Sequence, residues 1–245
     1  MTQRLYGGGS PAPYGYTRKI LCVPPRLVLL ESCVDSLESA TASARGGADR
    51  IELCANLDAG GTTPDIDLIR RCSEAIDRPV FVMIRPRGGD FCYDAADLQI
   101  MTRDIGLAKS AGARGIVVGA LAADRTIDVD AMRRLIHAVR PLPVTCHRAF
   151  DAAGDLDEAL DTLVTLGVDR VLTSGGAPTA AEGAEVIADL VTRAGDAVVV
   201  MAGGGVRARN VADLVRRTKV REVHARLAGA EVVEIVAAMG RGARA

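Results

Sequence analysis

The sequence predicts a closed parallel barrel of the α/β class, a (β/α)8 or TIM-type barrel in a single domain, and three observations carry that expectation. Eight short apolar runs alternate with segments of helical spacing from Leu27 onward. The phrase Gly-Ala/Val-Asp-Arg stands just before a strand twice, at Gly47–Arg50 and Gly167–Arg170, as a repeated βα unit would place it. No Gly-x-Gly-x-x-Gly follows the first run, which argues against a doubly wound open sheet. A chain of 245 residues also suits such a barrel as one unit.

Taken in order, strands are expected at Leu27–Ser32, Arg50–Leu53, Val80–Arg85, Gly115–Gly119, Val144–His147, Arg170–Thr173, Ala197–Met201 and Arg221–His224. The intervening segments, such as DIDLIRRCSEAI from Asp65 and DVDAMRRLIHAVR from Asp128, repeat apolar residues at helical spacing. Several open on Ser or Asp, whose side-chain oxygens accept the free N–H groups of a first turn, and close on Gly, as in Ser36…Gly46 and Asp155…Gly167. Residues 1–26 are rich in Gly, Pro and Tyr and have no periodicity. They are expected to form a flexible extension, leaving 27–245 as the barrel.

Composition narrows the function. Hydrophobic residues make up 49% of the chain but aromatics only 3%, with no Trp, so the core is built from Val, Leu, Ile and Ala. A net charge of −1 argues against a nucleic-acid binder, whose surface would be basic. No run reaches the roughly 18 apolar residues of a membrane helix. The apolar patch Ile20–Val23 is too short for a signal peptide, so a cytoplasmic location is expected. Six cysteines in a chain of this length do not make a disulfide scaffold, and in the cytosol their thiols are free for metal or chemistry.

In a barrel of this class, function collects at the carboxyl ends of the strands. Strand one ends in Glu31-Ser32-Cys33 and strand two in Glu52-Leu53-Cys54. Side chains alternate along a strand, so each Glu shares a face with its Cys, and adjacent strands lie about 4.8 Å apart. If both pairs face inward, two carboxylates sit side by side beneath two thiols, and their repulsion raises one carboxyl pKa. The alternative is an ion-pair network with Arg85 as the partner of the glutamates. His147, at the end of strand five, is a candidate general base or metal ligand, with Asp151 close enough in sequence to orient it. His224 is a weaker candidate and His137 falls on a surface helix. The turns at Ser174-Gly175-Gly176 and Gly203-Gly204 can present backbone N–H groups to a phosphate or other anion. Only three lysines occur, Lys19, Lys109 and Lys219, and none ends a strand, which excludes a Schiff-base aldolase.

With these residues assembled, the chain resembles the CutC family. ESCVDSLESA, GGADRIELCANLDAGGTTP, FVMIRPRGGDFCY, HRAFD, GVDRVLTSGGAPTA and MAGGGVR occur in the family's order and spacing, from about Leu27 to Ala225. The resemblance implies a (β/α)8 barrel that forms homodimers or larger homo-oligomers, and a role in copper homeostasis. Its proposed Cu(I) ligands correspond to Cys33 and Cys54, thiolates being soft donors suited to Cu(I). A two-coordinate site needs sulfurs about 4.6 Å apart, twice a metal–sulfur bond. Two functions therefore follow as expectations. One is cytoplasmic Cu(I) binding through Cys33 and Cys54. The other is an enzyme acting on a small anionic or phosphorylated metabolite, with Glu31, Glu52, Arg85, His147 and Asp151 at its centre.

Overall fold

The computed structural model describes residues 28–242, so the expected extension over 1–26, and Leu27, lie outside the described residues. Eight parallel strands close into a barrel: β1 (Leu29–Val34), β2 (Arg50–Leu53), β3 (Val80–Met83), β4 (Gly115–Val118), β5 (Val144–Cys146), β6 (Arg170–Thr173), β7 (Val199–Gly203) and β8 (Glu222–Ala225). The helices α1 (Leu37–Gly46), α2 (Ile66–Ala75), α3 (Ala95–Ser110), α4 (Val129–Val139), α5 (Leu156–Leu166), α6 (Ala184–Ala194), α7 (Val211–Thr218) and α8 (Ala230–Gly242) follow the strands in turn.

The sequence-level stops hold the helices where they were expected. Ser36, Asp94, Asp128 and Asp155 each accept a first-turn N–H on the side chain. Gly47 and Gly167 end α1 and α5 in the left-handed conformation (φ 101° and 74°), which a side chain would strain. The strand bounds shift where turns compete. β7 starts two residues late because Ala197 N–H closes a turn onto Ala194. β3 stops at Met83, before the Pro86 loop.

The wall separates two interiors. Outward-facing residues such as Leu30, Ile51, Val82, Ile116 and Val223 pack against Ile69, Ile105, Leu135, Leu160 and Ile187 of the helices in one large core. Burying each such side chain stabilises by about 1.5–3 kcal/mol. Inward-facing Cys33, Cys54, Phe81, Met83 and Val117 form a second, smaller cluster inside the barrel. Below it lies a charged layer in which Arg50 bonds to both Glu31 and Glu222, and Arg170 Nε donates to Glu222 at 2.9 Å. The Arg50 and Arg170 guanidinium groups face the Phe81 ring, 4.9 and 5.5 Å from its centre.

Candidate functional site

Strand stagger decides which residues meet. Closing a barrel requires each strand to slide relative to its neighbour, and here Glu31 stands level with Arg50, while Cys33 stands level with Glu52. The two Glu-x-Cys phrases are thus offset by one side-chain step. Oxygens of Glu31 and Glu52 still come within 4.8 Å of one another and of a His224 nitrogen. Each acid has its own cation, however: Arg50 for Glu31 and His224 for Glu52, the latter at 2.7 Å. Arg85 is not their partner, as the network reading expected. Its guanidinium donates to the carbonyls of Gly61 and Gly89 at 3.2 and 2.8 Å and stacks on Phe91, so it ties together the loops after β2 and β3.

The electrostatics follow from this pairing. Burial works against the Glu52 carboxylate, but the His224 charge and the hydrogen bonds from His224 and Cys33 lower its pKa. Burial likewise opposes charge on His224, yet the Glu52 carboxylate and the Cys33 thiol raise its pKa well above 6.5. The pair is therefore carboxylate and imidazolium at neutral pH. The thiols lie 3.7 Å apart, sulfur to sulfur. Their mutual contact, burial and the Glu52 charge push Cys33 well above its usual value. The same contact pulls Cys54 down, but burial and the charges of Glu52 and Glu31 leave it at about 11. Both are thiols at neutral pH.

His147 does not bond to a glutamate, and Asp151 does not orient it. Its Nδ1 accepts the Ala149 N–H at 3.1 Å, its ring tilts against Phe91, and Nε2 has no hydrogen-bond partner among the described residues. Burial, reinforced by the Arg85 charge, lowers its pKa to about 4, so the ring is neutral. Asp151 instead fills the turn after β6, accepting from the N–H groups of Ser174 (3.0 Å) and Gly176 (3.1 Å) and from Arg148 Nε (2.7 Å). Gly175 N–H bonds to Thr173 Oγ1 at 2.8 Å. The turn expected to hold an external anion at Ser174, Gly175 and Gly176 thus has its donors taken by the protein's own groups. Gly203 lies within β7, where a Cβ would fall 2.5 Å from Leu172, while Gly204 lines the barrel mouth.

The mouth is a cavity of about 270 Å³ bordered by Cys33, Cys54, Glu52, His224 and His147 on its floor, and by Arg148, Arg207 and Arg226 higher up. Of the lysines, Lys109 donates to the carbonyls of Ala138 and Arg140, Lys219 ends α7, and Lys19 lies outside the described residues.

The model of the CutC family matches residues 28–229, which span every strand of this barrel. The chain belongs to the CutC family. It is 50% identical over 196 residues to a human copper homeostasis protein cutC homolog, covering 80% of this chain and 72% of that protein. It is 48% identical over 202 residues to a CutC family protein of Caulobacter vibrioides, covering 82% of each. A solved CutC structure from Streptococcus agalactiae superposes with a TM-score of 0.76 at 35% identity, covering 80% of this chain and 97% of that one. Among the described residues, no helix is long and apolar enough to cross a membrane.

Sequence reasoning gave His224 too little weight and passed over Arg148, Arg207 and Arg226. A signal for His224 was present: in a closed barrel the eighth strand lies beside the first, so a histidine at its end meets the acids of β1 and β2. The three arginines sit in loops, where no periodicity reports direction.

Proposed function

We propose that this chain binds Cu(I) between Cys33 and Cys54 and takes part in copper homeostasis in a reducing compartment such as the cytoplasm. The observation that supports it is the thiol pair itself: two sulfurs 3.7 Å apart on adjacent strand ends, facing one cavity. Soft sulfur donors select Cu(I) over harder ions. Linear coordination requires a separation of about 4.6 Å, so the side chains open by roughly 1 Å, and the adjoining cavity gives them room. Binding displaces the thiol protons, and the His224 imidazolium beside Cys33 offsets the charge that results. The human relative carries copper homeostasis in its name, which agrees with the reading. Glu31 is not a ligand in this reading, being bound to Arg50 one layer below.

The test is titration of the reduced protein with Cu(I) against a competing chelator. One ion per chain is expected, with competition abolished in Cys33→Ser/Cys54→Ser. Undiminished affinity in that double variant would refute the proposal.

A further inference from the structure

The mouth cavity is far larger than a copper ion, and part of its polar lining lies away from the thiols. His147 carries the decisive feature. The Ala149 N–H occupies Nδ1 as an acceptor, so in the neutral ring the proton resides on Nε2. That Nε2–H is buried, belongs to a side chain only 3% exposed, borders the cavity, and has no acceptor among the described residues. A buried donor without an acceptor is costly and rare in native proteins, so an oxygen that completes the site is called for.

The charge of the surroundings says which kind of oxygen. Arg148 is anchored through Nε on Asp151 and Nη2 on Ser174, which leaves Nη1 directed at Gly204, 3.4 Å from where a Cβ would stand. Gly204 adopts φ +98°, so the backbone stays bare at the place where Arg148 reaches the cavity. Arg207, held by the Val206 carbonyl at 2.7 Å, borders the same space, and Arg85 adds its charge from the β3 side. The acid of the lining, Glu52, is already matched by His224. Arg148 and Arg226 already have carboxylate partners in Asp151 and Asp58, so the excess positive charge facing this low-dielectric cleft is that of Arg85 and Arg207. It concentrates anions, and guanidinium groups, Nη1 of Arg148 included, bind carboxylate and phosphate oxygens alike. Phe91 and Leu172 supply apolar walls for a short carbon chain.

We infer that the barrel mouth binds a small organic oxyanion, a carboxylate or a phosphate ester, with one oxygen accepting from His147 Nε2–H and the charge held by Arg148 and Arg207. The thiols at the ends of β1 and β2 border the same cavity, but none of these contacts is a thiol: His147 and Arg148 lie in the loop after β5 and Arg207 in the loop after β7.

The experiment uses the full chain, reduced and metal-free, at constant ionic strength. Inorganic phosphate, glycerol phosphate, acetate and succinate are titrated by calorimetry, with the His147 Nε2–H resonance followed by 15N NMR. At least one probe is expected to bind saturably at one per chain and to move that resonance, and the tighter series tells carboxylate from phosphate. His147→Phe, which retains a ring against Phe91, and Arg207→Gln should each weaken binding about tenfold or more, as loss of a charged hydrogen bond does. Arg207, half-buried in a loop outside the core, keeps the test available if His147→Phe does not fold. Cys33→Ser/Cys54→Ser should bind the anion as the parent does, whatever becomes of copper. The inference is overturned if no probe saturates, if both site variants bind like the parent, or if the double serine variant loses the anion.

Discussion

Replacing Arg50 with Met removes the central cation of the layer beneath the mouth. Arg50 is 6% exposed and bonds to Glu31 and Glu222; burial opposes its charge, but the two acids more than restore it. Removing one partner of a buried ion pair costs about 3–5 kcal/mol, because the other charge is left uncompensated. Here the two acids fare differently. Glu222 keeps Arg170 at 2.9 Å, whereas Glu31, buried, loses its cation and is left with a His224 nitrogen within 4.8 Å. The expected loss is therefore at the lower end, about 3 kcal/mol, or roughly 6–12 °C in Tm for a chain of this length. Glu31→Gln alone leaves Arg50 bonded to Glu222 and should cost about 1.5 kcal/mol, the value of one charged hydrogen bond. In Arg50→Met/Glu31→Gln the stranded carboxylate is gone, so the double variant should be more stable than the two losses combined by about 1–2 kcal/mol. Urea unfolding followed by circular dichroism measures all three. Additive losses, or an Arg50→Met cost below about 1 kcal/mol, would refute the assignment of this layer as a mutually compensating network. Glu31→Gln should not weaken Cu(I) binding, since its carboxylate is engaged below the site and loss of its charge eases ionisation of Cys54.

The Glu52–His224 pair predicts a pH window. The His224 pKa is raised, so its contribution is complete below about 6.5 and is lost as pH climbs through the raised value; that of Glu52 is lowered, so its contribution is complete above about 4.5 and is lost on acidification. The stability gap between the parent and His224→Gln, about 2 kcal/mol for a buried charged hydrogen bond, should thus be widest between these values and narrow on both sides; a gap independent of pH would contradict the ion pair. Gly175→Ala places a Cβ 2.5 Å from the Gly183 carbonyl at φ +72°. The left-handed backbone alone costs about 1–2 kcal/mol and the clash adds to it, so thermal unfolding should show a loss above that range, while a neutral substitution would mean that the turn after β6 relaxes freely.

Much of this molecule can be read locally. The caps at Ser36, Asp128 and Asp155, the glycines ending α1 and α5, and the alternation within Glu31-Ser32-Cys33 and Glu52-Leu53-Cys54 all depend on residues a few positions apart, and each appears as expected. The site was half legible for the same reason. That each Glu shares a face with its Cys is a property of one strand; which acid faces which thiol is a property of two. Asp151 and Arg85 show the limit from the other side: the expected partners, His147 for Asp151 and the glutamates for Arg85, are replaced by loop backbone whose position no local pattern reports.

By itself, then, the chain determined its strand–helix alternation, its barrel class, its family and the pairing of acid with thiol on two neighbouring strands, because short-range sterics and hydrogen bonding set these. Tertiary structure alone decided that Cys33 stands level with Glu52, that Glu31 belongs to Arg50, and that His224 reaches Glu52 across 172 residues. Those contacts follow from stagger and closure of all eight strands together, a collective geometry that no single segment encodes.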